Sequence, residues 1–230
     1  MITAFLPCRK GSQRVKNKNV RSFAGVAGGL TKIKLEQLLA VSSLDRIILS
    51  TDDEVVKQIG HSFSSEKIKI DDRPAHLATS ATSTDALIQY VPMIIPNGHI
   101  LWTHVTSPFI GSTDYEKIIN QYQTSLVSGY DSLMTVTPLH KFLWNDKSAI
   151  NYDRSTEKWP RTQTLSPVYE VNSGAFVAPV EIYRQQSDRI GQRPYLYATD
   201  EQQSYDIDWE INFEIAELMW QRLHPSPTFL

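Results

Sequence analysis

The stretch ITAFLPCRKGS, residues 2–12, joins an apolar run to a cationic turn. Ile2 to Leu6 is short, apolar and bounded by Pro7, the pattern of a buried first strand. The next residues are loop-like, with Gly11 and Ser12 supplying a turn and Arg9, Lys10, Arg14, Lys16 and Lys18 crowding the positions around it. A strand that ends in a polar loop, repeated along a chain, is the signature of a sheet whose strands are linked through helices.

The repetition is there. The apolar residues Ile33, Leu35, Leu38, Leu39 and Val41 give helical spacing over about 31–42, and RIILS (46–50) reads as a second buried strand. Helical patterns recur near 53–60, 84–91 and 113–126, separated by strand-like KIKI (67–70), HILWTHV (99–105) and DSLMTV (131–136). Strands alternating with helices predict an α/β domain with a mostly parallel sheet and helices on both faces. Such sheets place ligands outside the carboxyl ends of their strands. That rule gathers CRKGS, TDD (51–53) and TSP (106–108) at one edge.

Beyond residue 137 the rhythm changes. The segment from about 139 to 170 is rich in turn formers and aromatics and predicts an excursion from the sheet, a lobe or a dimer arm. GAFVA (174–178) predicts a strand returning to the core, residues 209–223 a last helix, and HPSPTFL (224–230) a frayed tail.

Composition bounds the function. With 230 residues, 41% hydrophobic and 21% charged, the chain can bury a sizeable core. A net charge of -2 argues against a general nucleic-acid binder. No run approaches the roughly 18 apolar residues of a membrane span, and one cysteine, Cys8, forms no internal disulfide. A cytoplasmic location is the resulting expectation. The charge is unevenly spread: no acid precedes Glu36, whereas Asp200 to Glu217 holds seven acids and no Lys or Arg. A basic front and an acidic back suit a polyanion with a divalent cation, although charge runs commonly form solvated faces.

Walker A, G-x-G-x-x-G, H-E-x-x-H and G-x-S-x-G patterns are all missing. The opening loop instead offers backbone N–H groups and point charges, a cradle for a nucleoside triphosphate. At the other end, YDIDWEINFE sets Asp206 and Asp208 two residues apart. On a strand they would share a face and suit Mg²⁺; as a helix start, Asp208 would be an N-cap. Both readings stand on spacing alone.

CRKGSQRVKNKN resembles the signature loop of the acylneuraminate cytidylyltransferase family, close to A-R-G-G-S-K-x-x-x-x-K-N. ILSTDDEV, RPAHLATSATSTDAL, TSPF, HKFLW, VNSGAF and DIDWEINFEIAE match it further, in order, along nearly the whole chain. The resemblance implies a single Rossmann-like, three-layer nucleotidyltransferase domain over 1–230, a homodimer exchanging arms at about 139–170, and CTP, Mg²⁺ and an acidic keto-sugar as ligands. It implies nucleotide-binding roles for Arg9, Gly11, Ser12, Lys18, Asn19, Arg73, Ser80, Thr82 and Ser83, and metal-binding roles for Asp206 and Asp208. Arg9, Lys18 and Asp208 carry the catalytic expectation, and His104, Lys141, Arg161 and Asn172 the sugar side. Arg73 could alternatively pair with Asp71 or Asp72, and Arg161 with Glu157 or Glu170.

The chain departs from the family at His104, where Gln is common, at Leu143, where a basic residue is, and at Glu170-Val171-Asn172, where some members carry Arg. These positions lie on the sugar side. Lys10 stands where Gly is usual and Lys16 where Pro is common. An octulosonate-type synthetase, a D-x-D glycosyltransferase and a silent nucleotide-sugar binder are the rival readings.

Overall fold

The structure, a computed structural model, describes residues 1–225. Seven strands form one sheet: β1 (Ile2–Cys8), β2 (Arg46–Thr51), β3 (Ile68–Asp72), β4 (His99–Trp102), β5 (Ser132–Leu139), β6 (Val168–Pro179) and β7 (Pro194–Ala198), in the order β3-β2-β1-β4-β6-β5-β7. Only β6 runs against its neighbours β4 and β5; the remaining pairings are parallel.

Period-2 alternation builds the layers. Ile2, Ala4, Leu6 and Cys8 of β1, with Ile47 and Leu49 of β2, enter a core beneath α1 (Gly29–Leu39), α2 (Glu54–Ser62), α4 (Ser112–Val127) and α6 (Glu210–Leu223). Phe5, Ile48, Ile100 and Trp102 face the other side, against α3 (Thr84–Ile94) and α5 (Val180–Gln186). Phe5 and Trp102 meet edge-on at 4.7 Å between ring centroids. Burying each such side chain is worth about 1.5–3 kcal/mol, so both faces contribute to holding the sheet between its helices.

Four expectations need correction. β1 does not stop before Pro7. It continues to Cys8, because Pro7 lies past the last β1–β4 partner pair, Phe5 and Trp102, where β1 has a neighbour on one side only and a missing N–H disrupts no ladder. The strand expected over 99–105 ends at Trp102, since Thr103 turns away into the loop toward TSP. Asp206 and Asp208 lie in a loop outside any strand, and Asp208 is not a cap: Trp209 is the N-cap of α6, and Asn212 Oδ1 accepts from its N–H at 2.9 Å. Arg73 forms no ion pair with Asp71 or Asp72 but is buried against Ser50.

α5 and β7 had no counterpart in the sequence reading. The expected excursion corresponds to residues 140–167, between the paired ends Leu139 and Val168 of β5 and β6. Of the expected frayed tail, residues 226–230 lie outside the described residues.

Candidate active site

The chain runs from β1 out to β3 on one side and returns to β4 on the other, so the two connections diverge between β1 and β4. A crevice must open there, beyond the carboxyl ends of both strands. A cavity of about 340 Å³ occupies that place, walled by Pro7, Arg9, Ser12, Gln13, Arg14, Lys18 and Asn19 from the loop after β1 and by His104, Val105 and Thr106 from the loop after β4. A second cavity of about 210 Å³ shares Pro7, Arg9 and His104 and adds Arg73, Leu77, Thr79, Ser80, Thr82 and Leu87.

The cationic loop is tied down at several points. Asn19 Nδ2 donates to the Arg9 carbonyl at 3.1 Å, closing the loop on itself, and the Thr31 hydroxyl donates to the Asn19 carbonyl at 2.8 Å. Asp52 Oδ1 accepts from the Lys10 N–H at 2.8 Å, while Asp53 caps α2 by accepting from the Val55 N–H at 2.9 Å. Gly11 has φ of 73°, a left-handed conformation that costs a side-chain-bearing residue free energy and glycine little.

Ile207 anchors the acidic end. Its side chain is fully buried, its N–H donates to the Thr106 carbonyl at 3.0 Å, and Lys18 Nζ donates to its carbonyl at 2.6 Å. Asp206 and Asp208 flank this anchor, Asp206 with its Oδ1 buried and Asp208 about half exposed. Lys18 Nζ is 4.0 Å from Asp208 Oδ1, and Arg14 Nη2 donates to the same oxygen at 2.7 Å. Two loops nearly the whole chain apart in sequence thus meet in one polar cluster.

Burial shapes its electrostatics. It raises the Asp206 carboxyl above the ordinary carboxylate range, with the Thr106 hydroxyl pulling the other way. It lowers the Lys18 ammonium, opposed by Asp206 and Asp208. His104 is pushed down to about 3, first by burial and then by the charge of Arg189. Its Nε2 lies 3.1 Å from the Trp102 Nε1–H, which donates to it.

Each predicted residue has a definite place. Arg9, Ser12, Lys18, Asn19 and His104 wall the first cavity, and Arg73, Ser80 and Thr82 the second. Arg73 is held by Nε to Ser50 Oγ at 3.1 Å and by Nη2 to the Ser50 carbonyl at 2.6 Å. Ser83 is the N-cap of α3 and accepts from the Ala86 N–H at 3.1 Å. Asn172 is not brought to the cavities: Nδ2 donates to Thr137 and Thr199 hydroxyls at 3.1 and 2.6 Å, and Oδ1 accepts from the Gly174 N–H at 3.2 Å. Lys141 and Arg161 are exposed on the excursion, and neither is a wall residue of either cavity. Arg161 has no ion pair with Glu157 or Glu170 among the described residues.

The sequence reading gave no individual role to Gln13, Arg14 or Ser50, and placed Thr106 only as part of TSP at the ligand edge. Arg14 stood in the cation cluster, but nothing in the spacing distinguished it from Lys16, which is exposed. Lys34 was also passed over. It is fully buried and donates to the carbonyls of Ser107 and Ile110 at 2.8 and 3.1 Å and to the Tyr115 hydroxyl at 2.8 Å, stapling the loop after β4 that carries TSP.

A family model described as Cytidylyltransferase matches residues 3–222. The chain is 26% identical over 228 residues to an N-acylneuraminate cytidylyltransferase of Escherichia coli O18:K1:H7, covering 96% of this chain and 52% of that protein. It is 22% identical over 232 residues to a pseudaminic acid cytidylyltransferase of Campylobacter jejuni (96% and 97% covered). To a CMP-N,N'-diacetyllegionaminic acid synthase of Legionella pneumophila it is 25% identical over 233 residues (96% of each). The chain therefore spans about half the length of the Escherichia coli relative and nearly all of the other two.

Among solved structures, a CMP-2-keto-3-deoxy-manno-octonic acid synthetase complexed with CTP superposes with a TM-score of 0.68 at 15% identity, over 96% of this chain and 99% of that one. A 4-diphosphocytidyl-2C-methyl-D-erythritol synthase from Anaerococcus prevotii gives 0.67 at 14% identity, over 96% of each. At these identities the likeness shows the fold, a Rossmann-like α/β sandwich.

Proposed function

The chain belongs to the cytidylyltransferase family, and from that premise we propose that it transfers CMP from CTP to a sialic-acid-like, nonulosonic sugar. Pyrophosphate is the other product. The observation that carries this reading is the meeting of the cationic loop after β1 with the Asp206–Asp208 segment, held together through Lys18 and Ile207. A polyanion and a divalent cation need such opposed charges at one place.

A sugar hydroxyl attacks the α-phosphorus of CTP and pyrophosphate leaves, a reaction in which positioning and charge stabilisation supply most of the catalysis. The nucleoside fits the smaller cavity, where Arg73, Ser80 and Thr82 offer polar groups beside Leu77 and Leu87. The triphosphate fits the larger one, where Arg9, Lys18 and the Ser12 loop face it. Arg9 and Lys18 then offset the charge that grows on the departing pyrophosphate.

Asp206 and Asp208 are the residues that would hold Mg²⁺. They suit it: both are hard oxygen donors, and Asp206 Oδ1 is buried with no hydrogen-bond partner. Among the described residues no third Asp, Glu, His or Cys completes a metal cluster, so phosphate and water would supply the remaining ligands. Mg²⁺ held there would supply Lewis-acid stabilisation of the charge that develops on phosphate oxygen.

A homodimer is part of the same proposal. The excursion exposes Trp144, Ile150 and Trp159, which a partner could cover, and light scattering that gives a monomeric mass would remove it. No helix among the described residues is long and apolar enough to cross a membrane. Cys8, buried and unpaired, is compatible with action in the reducing cytoplasm.

The test is pyrophosphate release from CTP and Mg²⁺ with N-acetylneuraminate, pseudaminate, legionaminate and 3-deoxy-manno-octulosonate. Release with a nonulosonate supports the proposal. Release with the octulosonate alone redirects it, and no release with any of the four refutes it.

A further inference from the structure

An acidic sugar brings a carboxylate to the site, and under the cytidylyl-transfer reading, on which this inference rests, some cation must meet it. Lys141 and Arg161 are exposed on the excursion; neither they nor Arg189 wall either cavity, so cavity lining does not choose among these cations. A different cation stands on the sheet itself. Arg189, in the turn after α5, lays its guanidinium over Phe176, with Cζ 3.6 Å from the ring centroid, and 5.3 Å from that of Trp102. Trp102 donates to His104, and His104 walls both cavities. Arg189 is therefore packed on the aromatic floor from which His104 rises.

Among the described residues its charge has no counterion: no carboxylate lies within ion-pair distance of Arg189, and its guanidinium makes no hydrogen bond. The adjacent Asp188 is occupied, Oδ1 accepting from the N–H groups of Arg189 and Ile190 at 2.6 and 3.4 Å. Arg189 as a whole is half-buried, neither enclosed in the core nor fully in solvent. Burial nonetheless lowers the Arg189 pKa from its usual value. A partly buried, unpaired guanidinium is costly to keep unless an anion arrives. A guanidinium is also a fork of N–H donors matched to a carboxylate.

We propose that Arg189, stacked on Phe176 and Trp102 beside His104, receives the carboxylate of the acceptor sugar and so selects acidic over neutral sugars.

Kinetics with the full chain test this, using CTP, Mg²⁺ and whichever of the four acids named above is turned over, alongside its methyl ester. Arg189→Met keeps an unbranched stem over Phe176 and removes the charge. Its KM for the acid should rise by at least about 30-fold, with KM for CTP within twofold of wild type. Wild type should prefer acid to ester, and Arg189→Met should not. Arg189→Lys should keep part of the preference; it carries the test if the Met variant fails to fold. Unchanged acid-over-ester preference in the foldable variant overturns the role of Arg189 and leaves cytidylyl transfer intact. If wild type turns over none of the acids, cytidylyl transfer itself fails, and this inference with it.

Discussion

Arg14 Nη2 lies 2.7 Å from Asp208 Oδ1, joining residues 194 positions apart across the mouth of the cleft. Both side chains are about half exposed, so the pair adds at most about 1 kcal/mol to stability. Its consequence is functional, because Arg14 holds the carboxylate that the proposed metal site requires. Asp208→Asn should lower kcat on the order of 10²–10³-fold with little change in melting temperature. Arg14→Gln should leave stability unchanged and raise the KM for CTP. A near-normal kcat in Asp208→Asn would remove Asp208 from the reaction.

Lys18 differs from Arg14 in being buried, with its ammonium bonded to the Ile207 carbonyl. Lys18→Met keeps the stem and loses that donor, at about 1–3 kcal/mol of stability. Activity should suffer more than folding: kcat/KM for CTP should fall about 100-fold or more at temperatures where circular dichroism shows the variant fully folded. Equal loss of folding and activity would make Lys18 a purely structural residue.

Lys34 is a structural cation. Lys34→Met strips donors from the Ser107 and Ile110 carbonyls inside the core, which should cost about 3 kcal/mol and lower the melting temperature by about 6–12 °C. Calorimetry of the variant checks this. A shift under about 2 °C would mean the loop finds other donors.

His104 makes stability depend on pH. Its folded pKa, about 3, lies below the ordinary value of 6.5, so between these values the unfolded chain binds a proton that the native one does not. Its contribution is therefore complete above pH 6.5 and drains away as pH falls toward 3. Denaturant melts at pH 4.5 and 7.5 should show wild type losing more stability than His104→Gln. Identical losses would place the imidazole in water.

Much of the fold was legible in the sequence because strand and helix announce themselves by period. Ile2–Leu6 and RIILS lie in β1 and β2, and the helix expected over about 31–42 is α1, Gly29–Leu39, shifted toward the N-terminus so that Val41 lies beyond it. α5 was missed because seven residues hold too few turns to display a period, and β7, PYLYA, because an edge strand is only partly buried and lacks an apolar run. Asp208 was ambiguous for a related reason: an aspartate before a helix is a good cap on local grounds, and only the Asn212 side chain, reaching back to Trp209, frees it.

By itself the sequence determined that a cationic, Gly-Ser loop follows the first strand, since both follow from residue type and local spacing. It could not rank equal cations. Arg14 and Lys16, two positions apart, are alike until the chain closes; then Arg14 faces Asp208 and Lys16 faces solvent. Nor could it show that Arg189 has no ion-pair partner among the described residues, because pairing is a property of everything folded around a residue. Tertiary structure decided these points, for electrostatic energy depends on distance through space and on burial, and neither is written in the order of residues.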